Sequence, residues 1–246
     1  MDAVLAVSHW IRDRLIQAGL APERIFVAES GTDPSRFEHL TPRQEVRDSL
    51  NIPKKAFVIG NVGQLEAQKG QVLLIQAFGQ LVRRNPDIPY YLIFVGTGPA
   101  LEECRSFAHR LNLSERILFT GFRRDVETFY SAMDVVFLST IPTMGEGWSG
   151  AIREAMFCSV PVIAVRQDSL SEQIKDGETG LFVELDGLDD WVAAIQKLQM
   201  DEALRKRLTE NARKQVAQFT VQRMAGKTEE CYRAIATPQI AAESPR

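Results

Sequence analysis

Two glutamates, Glu146 and Glu154, flank the run Gly147-Trp148-Ser149-Gly150-Ala151-Ile152-Arg153. The small residues Gly147, Ser149 and Gly150 leave the first amides of a following helix uncovered, and such amides with the helix dipole behind them form a seat for an anion such as a diphosphate. Carboxylates beside a diphosphate make chemical sense as hydroxyl acceptors, because one carboxylate takes two vicinal hydroxyls at once. At 1.5 Å per helical residue the pair lies roughly 10 Å apart, which matches the span from a hexose to a ribose across a diphosphate. The competing reading is that acidic residues gather near helix N-termini for the dipole alone.

Two other stretches could meet the same ligand. Gly63-Gln64-Leu65-Glu66-Ala67-Gln68-Lys69-Gly70 has glycines that admit close backbone approach and, at a helix start, a lysine whose point charge suits phosphate; the alternative is a lysine on a solvated turn. Gly96-Thr97-Gly98-Pro99 follows a strand at the same end of the sheet with Pro99 near a helix's first position, and a lone G-x-G-P of this kind is equally met by plain turn chemistry. Asp125 reads as a helix cap. His9, His39 and His109 stand on no motif, and Trp10, Trp148 and Trp191 read as packing residues, Trp148 alone being near the proposed ligand.

Short apolar runs alternating with amphipathic stretches must position these groups. Strands are expected at 3–7, 24–29, 56–62, 90–96, 116–120, 134–139, 161–165 and 180–183. Most are near-continuous hydrophobics, as in parallel strands covered on both faces. Helices are expected near 8–19, 43–50, 69–85, 99–111, 124–132, 149–158, 170–176 and 188–198, with two more near 201–216 and 220–235. The pattern predicts an α/β fold, a Rossmann-like parallel sheet with helices on both faces, whose chemistry collects at the carboxyl ends of the strands.

The 246 residues suffice for a large core. With 29 basic and 32 acidic residues the chain lacks the charge for wholesale nucleic-acid binding, so any anionic ligand must be met by local groups. The longest apolar run, around Tyr90 to Val95, is far below the roughly 20 residues of a membrane span. No secretory segment is expected at Met1-Asp2-Ala3-Val4, and Cys104, Cys158 and Cys231, without C-x-x-C or metal spacing, read as reduced and buried.

The stretch from Glu146 through Met156, Pro161 and Glu172 to Asp176-Gly177-Glu178-Thr179-Gly180-Leu181 resembles the donor-binding half of glycosyltransferase family 4 (group 1), retaining enzymes of GT-B fold. The two spaced glutamates are that family's signature. Supporting matches run along almost the whole chain: Val7-Ser8, Gly31-Thr32-Asp33, Gly63 to Gly70, Gly96 to Pro99, Phe119-Thr120-Gly121-Phe122 with Asp125, and Asp134 to Ser139.

The resemblance implies that Glu154 binds the ribose of a nucleotide-sugar and Glu146 the sugar near the reacting end. The amides around Gly147, Trp148 and Ser149 would hold sugar and diphosphate, and Lys69 would neutralise the departing diphosphate. Gly63, Gln64 and Gly98 would line the donor site, and the backbone near Phe122 and Arg123 would meet the base, the alternative for Arg123 being plain surface charge. Two departures matter. Gln64 stands where the family usually has an arginine, removing one positive charge from the phosphate site, and Asp168-Ser169 and Ser171 replace the usual glycine pair and proline before Glu172. No metal is expected, since no aspartate-rich motif follows a strand, and no cofactor, the nucleotide-sugar being substrate.

By the same resemblance residues 1–36 are a remnant of an N-terminal acceptor domain with its junction, 37–218 the donor-binding domain, and 219–246 a C-terminal helix and tail crossing back onto the missing domain. The acceptor, a glycan, lipid or small molecule, would be held by that domain or by a separate subunit. A cytoplasmic location is expected, with peripheral contact at the inner membrane face as the variant. The rival from another class is a noncatalytic nucleotide-sugar-binding subunit. A dehydrogenase is disfavoured because no G-x-G-x-x-G follows the first strands.

Overall fold

A computed structural model describes residues 3–142 and 146–236. Its strands are β1 (Val4–Ala6), β2 (Ile25–Val27), β3 (Phe57–Val62), β4 (Tyr90–Val95), β5 (Ile117–Phe119), β6 (Val135–Leu138), β7 (Val162–Val165) and β8 (Leu181–Val183). Its helices are α1 (His9–Gln17), α2 (Arg43–Ser49), α3 (Gln71–Arg84), α4 (Leu101–Arg110), α5 (Val126–Ala132), α6 (Gly150–Phe157), α7 (Leu188–Met200), α8 (Glu202–Val216) and α9 (Val221–Ala236). Each strand lies inside the apolar run that predicts it, trimmed at its ends.

Six strands form one parallel sheet in the order β5-β4-β3-β6-β7-β8, while β1 and β2 pair with each other, also in parallel. Alternation along the strands divides the core between the two faces of the large sheet. Ile59, Phe94, Phe137 and Ile163 pack with Leu74, Phe78 and Trp191, whereas Val58, Ile93, Val136 and Val162 pack with Tyr130, Ile152 and Met156. Helix α3 follows from the spacing of Leu74, Ile75, Phe78 and Leu81, all fully buried on one stripe.

The strand order reverses between β3 and β6, the topological switch point where open α/β sheets form a crevice. These strands share only two register pairs, Ile59 with Val135 and Gly60 with Val136, before they part. Beyond that point the buried Asn61 amide donates to Phe137 O at 2.8 Å and holds the mouth of the crevice at a fixed width.

The small β1-α1-β2 unit is fastened to the main body by polar contacts. Trp148 Nε1 donates to Ser30 O at 3.1 Å, Arg153 donates to Thr32, and Lys227 of α9 pairs with Glu29 at 2.6 Å. Gly31 is required here, because a Cβ would lie 2.2 Å from Thr220 O. Phe37, just past the turn at Pro34, enters the main core and stacks on Phe157.

Three local expectations are corrected. No helix spans 170–176: Asp168–Leu170 is one 3-10 turn followed by further turns, and Lys175 N donates forward to Thr179 Oγ1 at 2.9 Å instead of back into a helical ladder. Helix α3 starts at Gln71 rather than Lys69, because Gly70 takes a left-handed conformation (φ 64°) that breaks the ladder, and a Cβ there would sit 2.2 Å from Ser139 O. Cys104 and Cys231 are buried thiols, but Cys158 is only partly covered.

Candidate functional site

Two cavities open at the carboxyl ends of β3 and its neighbours, and both are lined by Val62, Gly63 and Gln64. One, of about 200 Å³, is completed by Asn61, Lys69, Gln71, Thr140, Glu146 and the start of α6. The other, of about 310 Å³, is completed by Gly96, Thr97, Phe122, Arg123, Val126 and Glu154. A larger hollow of about 480 Å³ beside α7 lies at the far sheet edge and contains none of these groups.

At the first end Lys69 Nζ lies 2.6 Å from Glu146 Oε2, and Thr140 Oγ1 donates to the same oxygen at 3.0 Å. The main chain is pinned as well. The buried Gln167 amide accepts from Glu146 N at 3.1 Å and donates to Thr140 O at 3.0 Å, joining the two loops. Ser139 Oγ donates to Lys69 O, so the turn carrying the lysine is tied to β6. Gln71 donates to Gln64 O at 2.9 Å and fixes the Gly63-Gln64 turn, while its buried Oε1 has no partner among the described residues.

The start of α6 differs from the expectation. Ser149 N is taken by the Gln173 side chain at 2.8 Å, and Trp148 faces Ser30 and stacks edge-on against Phe219. Gly147 lies against Ile11, where a Cβ would stand 3.4 Å from its side chain. Neither Gly147 nor Trp148 lines the cavity; Ser149, Gly150 and Ala151 do. Among the described residues no side chain caps α6, and the amides it leaves without a helical partner beside the cavity are those of its first residues, Gly150 and Ala151, just past the 147–149 run named from the sequence.

At the second end Glu154 is the fifth residue of α6. Its Oε2 accepts from Tyr130 Oη at 3.0 Å, and Arg36 reaches within 3.8 Å of Oε1. Burial raises the Glu154 carboxyl above its usual range, partly offset by Tyr130 and Arg36. Next to it, burial lowers the Arg153 guanidinium to about 10, since it faces Thr32 Oγ1 and Ser149 O rather than a carboxylate. Phe122 is an apolar ring at the rim, 71% exposed.

Two further expectations change. Asp125 stands at the α5 cap position, but its carboxylate accepts from Arg123 at 2.8 and 3.0 Å and caps no amide; the Arg123 bond holds that carboxyl low. Gly98 lines neither cavity: a Cβ there would lie 2.3 Å from Leu65 O, so this glycine serves the close approach of two loops. The sequence reading missed Thr140, Gln167, Gln71 and Tyr130. Their only sequence signal was position, at strand ends or on a helix beside the motif.

The fold and this cleft define a class that the comparisons bear out. The chain belongs to the glycosyl transferases group 1 family, whose model matches residues 42–215. It is 31% identical over 223 residues to the D-inositol 3-phosphate glycosyltransferase of Corynebacterium urealyticum, covering 87% of this chain and 52% of that protein. It thus spans about half the length of that relative.

Among solved structures it is similar to HepE of Anabaena in complex with UDP (TM-score 0.83, 26% identity, 95% of this chain and 64% of that one). It also resembles the C-terminal domain of the group 1 glycosyl transferase LpcC from Francisella tularensis (TM-score 0.66, 26% identity, 78% of this chain and 100% of that one). No helix among the described residues is long and apolar enough to cross a membrane.

Proposed function

We propose that this chain is the donor-binding half of a retaining glycosyltransferase that moves a sugar from a nucleotide-sugar to an acceptor. The observation that carries the reading is the pair of cavities sharing Gly63 and Gln64, with Lys69 and Glu146 at one end and Glu154 and Phe122 at the other. In this reading a nucleoside diphosphate-sugar lies along the switch-point crevice. Its base meets Phe122 and the backbone at Arg123, its ribose hydroxyls donate to Glu154, and its diphosphate meets the Gly150 and Ala151 amides. The sugar reaches Glu146.

Transfer is then electrostatic. Lys69 and the α6 amides stabilise charge on the departing diphosphate, Glu146 orients the sugar hydroxyls, and the acceptor attacks from the face the leaving group vacates. Gln64 can donate a hydrogen bond but adds no charge, leaving Lys69 as the cation among the described residues that line that end of the cleft. This reading assigns the acceptor wall to a further domain or subunit, since the alignment takes in 87% of this chain but 52% of the relative.

The test is calorimetry with UDP-, GDP- and ADP-sugars, followed by a transfer assay with candidate acceptors. Tight binding of one donor that Glu154→Ala weakens by about 1.5–3 kcal/mol supports the reading. Absence of binding to every nucleotide-sugar refutes it. Binding without transfer, even after an acceptor domain is supplied, would favour a noncatalytic nucleotide-sugar-binding subunit.

A further inference from the structure

Tyr130 reaches from α5 to α6 with its side chain fully buried. Its single hydroxyl proton has two acceptors, Ala151 O at 3.3 Å and Glu154 Oε2 at 3.0 Å. The carboxylate is the shorter and the charged one, so it takes the bond. With Oε2 pinned from behind, Oε1 is left for other partners.

We propose that Tyr130 is a positioning residue that keeps Glu154 charged and aimed as the acceptor for a nucleotide's ribose, a proposal that rests on the ribose reading of Glu154 given above. The other titratable groups around this carboxyl do not replace it. Arg36, from the turn at 34–37, is shared with Glu127 at 2.8 Å and is 38% exposed. Glu127 of α5 opposes the charge. Arg153, on the same helix, directs its guanidinium to Thr32 and Ser149. Cys158 is a neutral thiol whose pKa burial pushes up to about 12.

Burial favours the protonated acid, which would have to give its proton to a neighbour and lose half its acceptor capacity. A fixed phenol donor favours the carboxylate and at the same time sets its orientation.

Tyr130→Phe removes one oxygen and keeps the ring. The Glu154 carboxyl is followed by ¹³C NMR, assigned with Glu154→Gln, and UDP affinity is measured by calorimetry across pH, with GDP or ADP used if either binds more tightly. In Tyr130→Phe the carboxyl is expected to titrate higher by at least about half a pH unit, the direction required when a hydrogen bond to the charged form is lost. The acid-side fall in UDP affinity should move up by the same interval. In a Glu154→Gln background, which has no carboxyl to titrate at this position, Tyr130→Phe should leave the pH profile of UDP affinity where it was. A carboxyl titrating at the same pH in both proteins overturns the proposal whatever the cleft binds. A carboxyl that moves while UDP affinity stays flat across pH and indifferent to Glu154→Gln shows instead that the ribose reading has failed, and the proposal falls with it.

Discussion

Replacing Lys69 by methionine keeps the length of the side chain and removes its charge. In the structure the ammonium is 2.6 Å from Glu146, with the two side chains only 26% and 16% exposed, so it already neutralises one carboxylate. A unit pair at 4 Å and an effective dielectric near 20 interacts by about 4 kcal/mol, and a diphosphate must compete with Glu146 for that attraction. The net loss on deletion is therefore that of one charge-assisted bond, about 1.5–3 kcal/mol. That is roughly a 10- to 150-fold loss of UDP affinity at 1.4 kcal/mol per decade.

Uridine, which lacks phosphate, should bind Lys69→Met as it binds the parent. Gln64→Arg should act in the opposite sense, tightening UDP but not uridine, because a guanidinium brings a fork of donors to the ridge between the two cavities. Both comparisons are made by calorimetry at two ionic strengths, and the Lys69 effect should shrink at the higher one. Equal losses for UDP and uridine in Lys69→Met, or none for either, would refute the placement of phosphate beside Lys69.

Glu154→Ala should weaken UDP and uridine alike by about 1.5–3 kcal/mol, since a ribose contact is common to both; a loss confined to UDP would contradict it. Because burial raises the Glu154 pKa in the fold, ionising it opposes folding above that value. Glu154→Gln should thus melt higher than the parent near pH 7 and converge with it under acid, as read by thermal scans. Gln167→Ala unties Glu146 N from Thr140 O and should lower turnover with a nucleotide-sugar more than it lowers UDP affinity, because the sugar end alone is loosened. The 246-residue chain should bind a donor yet transfer slowly until an acceptor domain is fused to it, since holding reactants in register supplies roughly 7–11 kcal/mol; fast acceptor-dependent turnover by the monomeric chain would refute this.

The strands and most helices were legible in the sequence because their signals are local. A buried parallel strand such as 90–95 must be continuously apolar, and an amphipathic helix such as α3 must repeat at three and four residues. The cleft's outline was legible too, since Glu146, Lys69 and Gly63 stand beside turn residues past strand ends, where an α/β sheet forms its crevice, and Glu154 follows on the helix that begins there. Which groups line the two cavities was decided only by tertiary contacts. Trp148 and Gly147 turn away because the small β1-α1-β2 unit packs against them, Ser149 N is claimed by Gln173 from 24 residues along the chain, and Gly98 answers to Leu65. Tyr130, anonymous on a short helix, acquires its part only where folding buries it beside Glu154. Local pattern encodes which backbone conformation hides apolar surface, whereas the partner of a polar atom depends on which distant segment arrives within 3 Å, and no spacing along the chain records that distance.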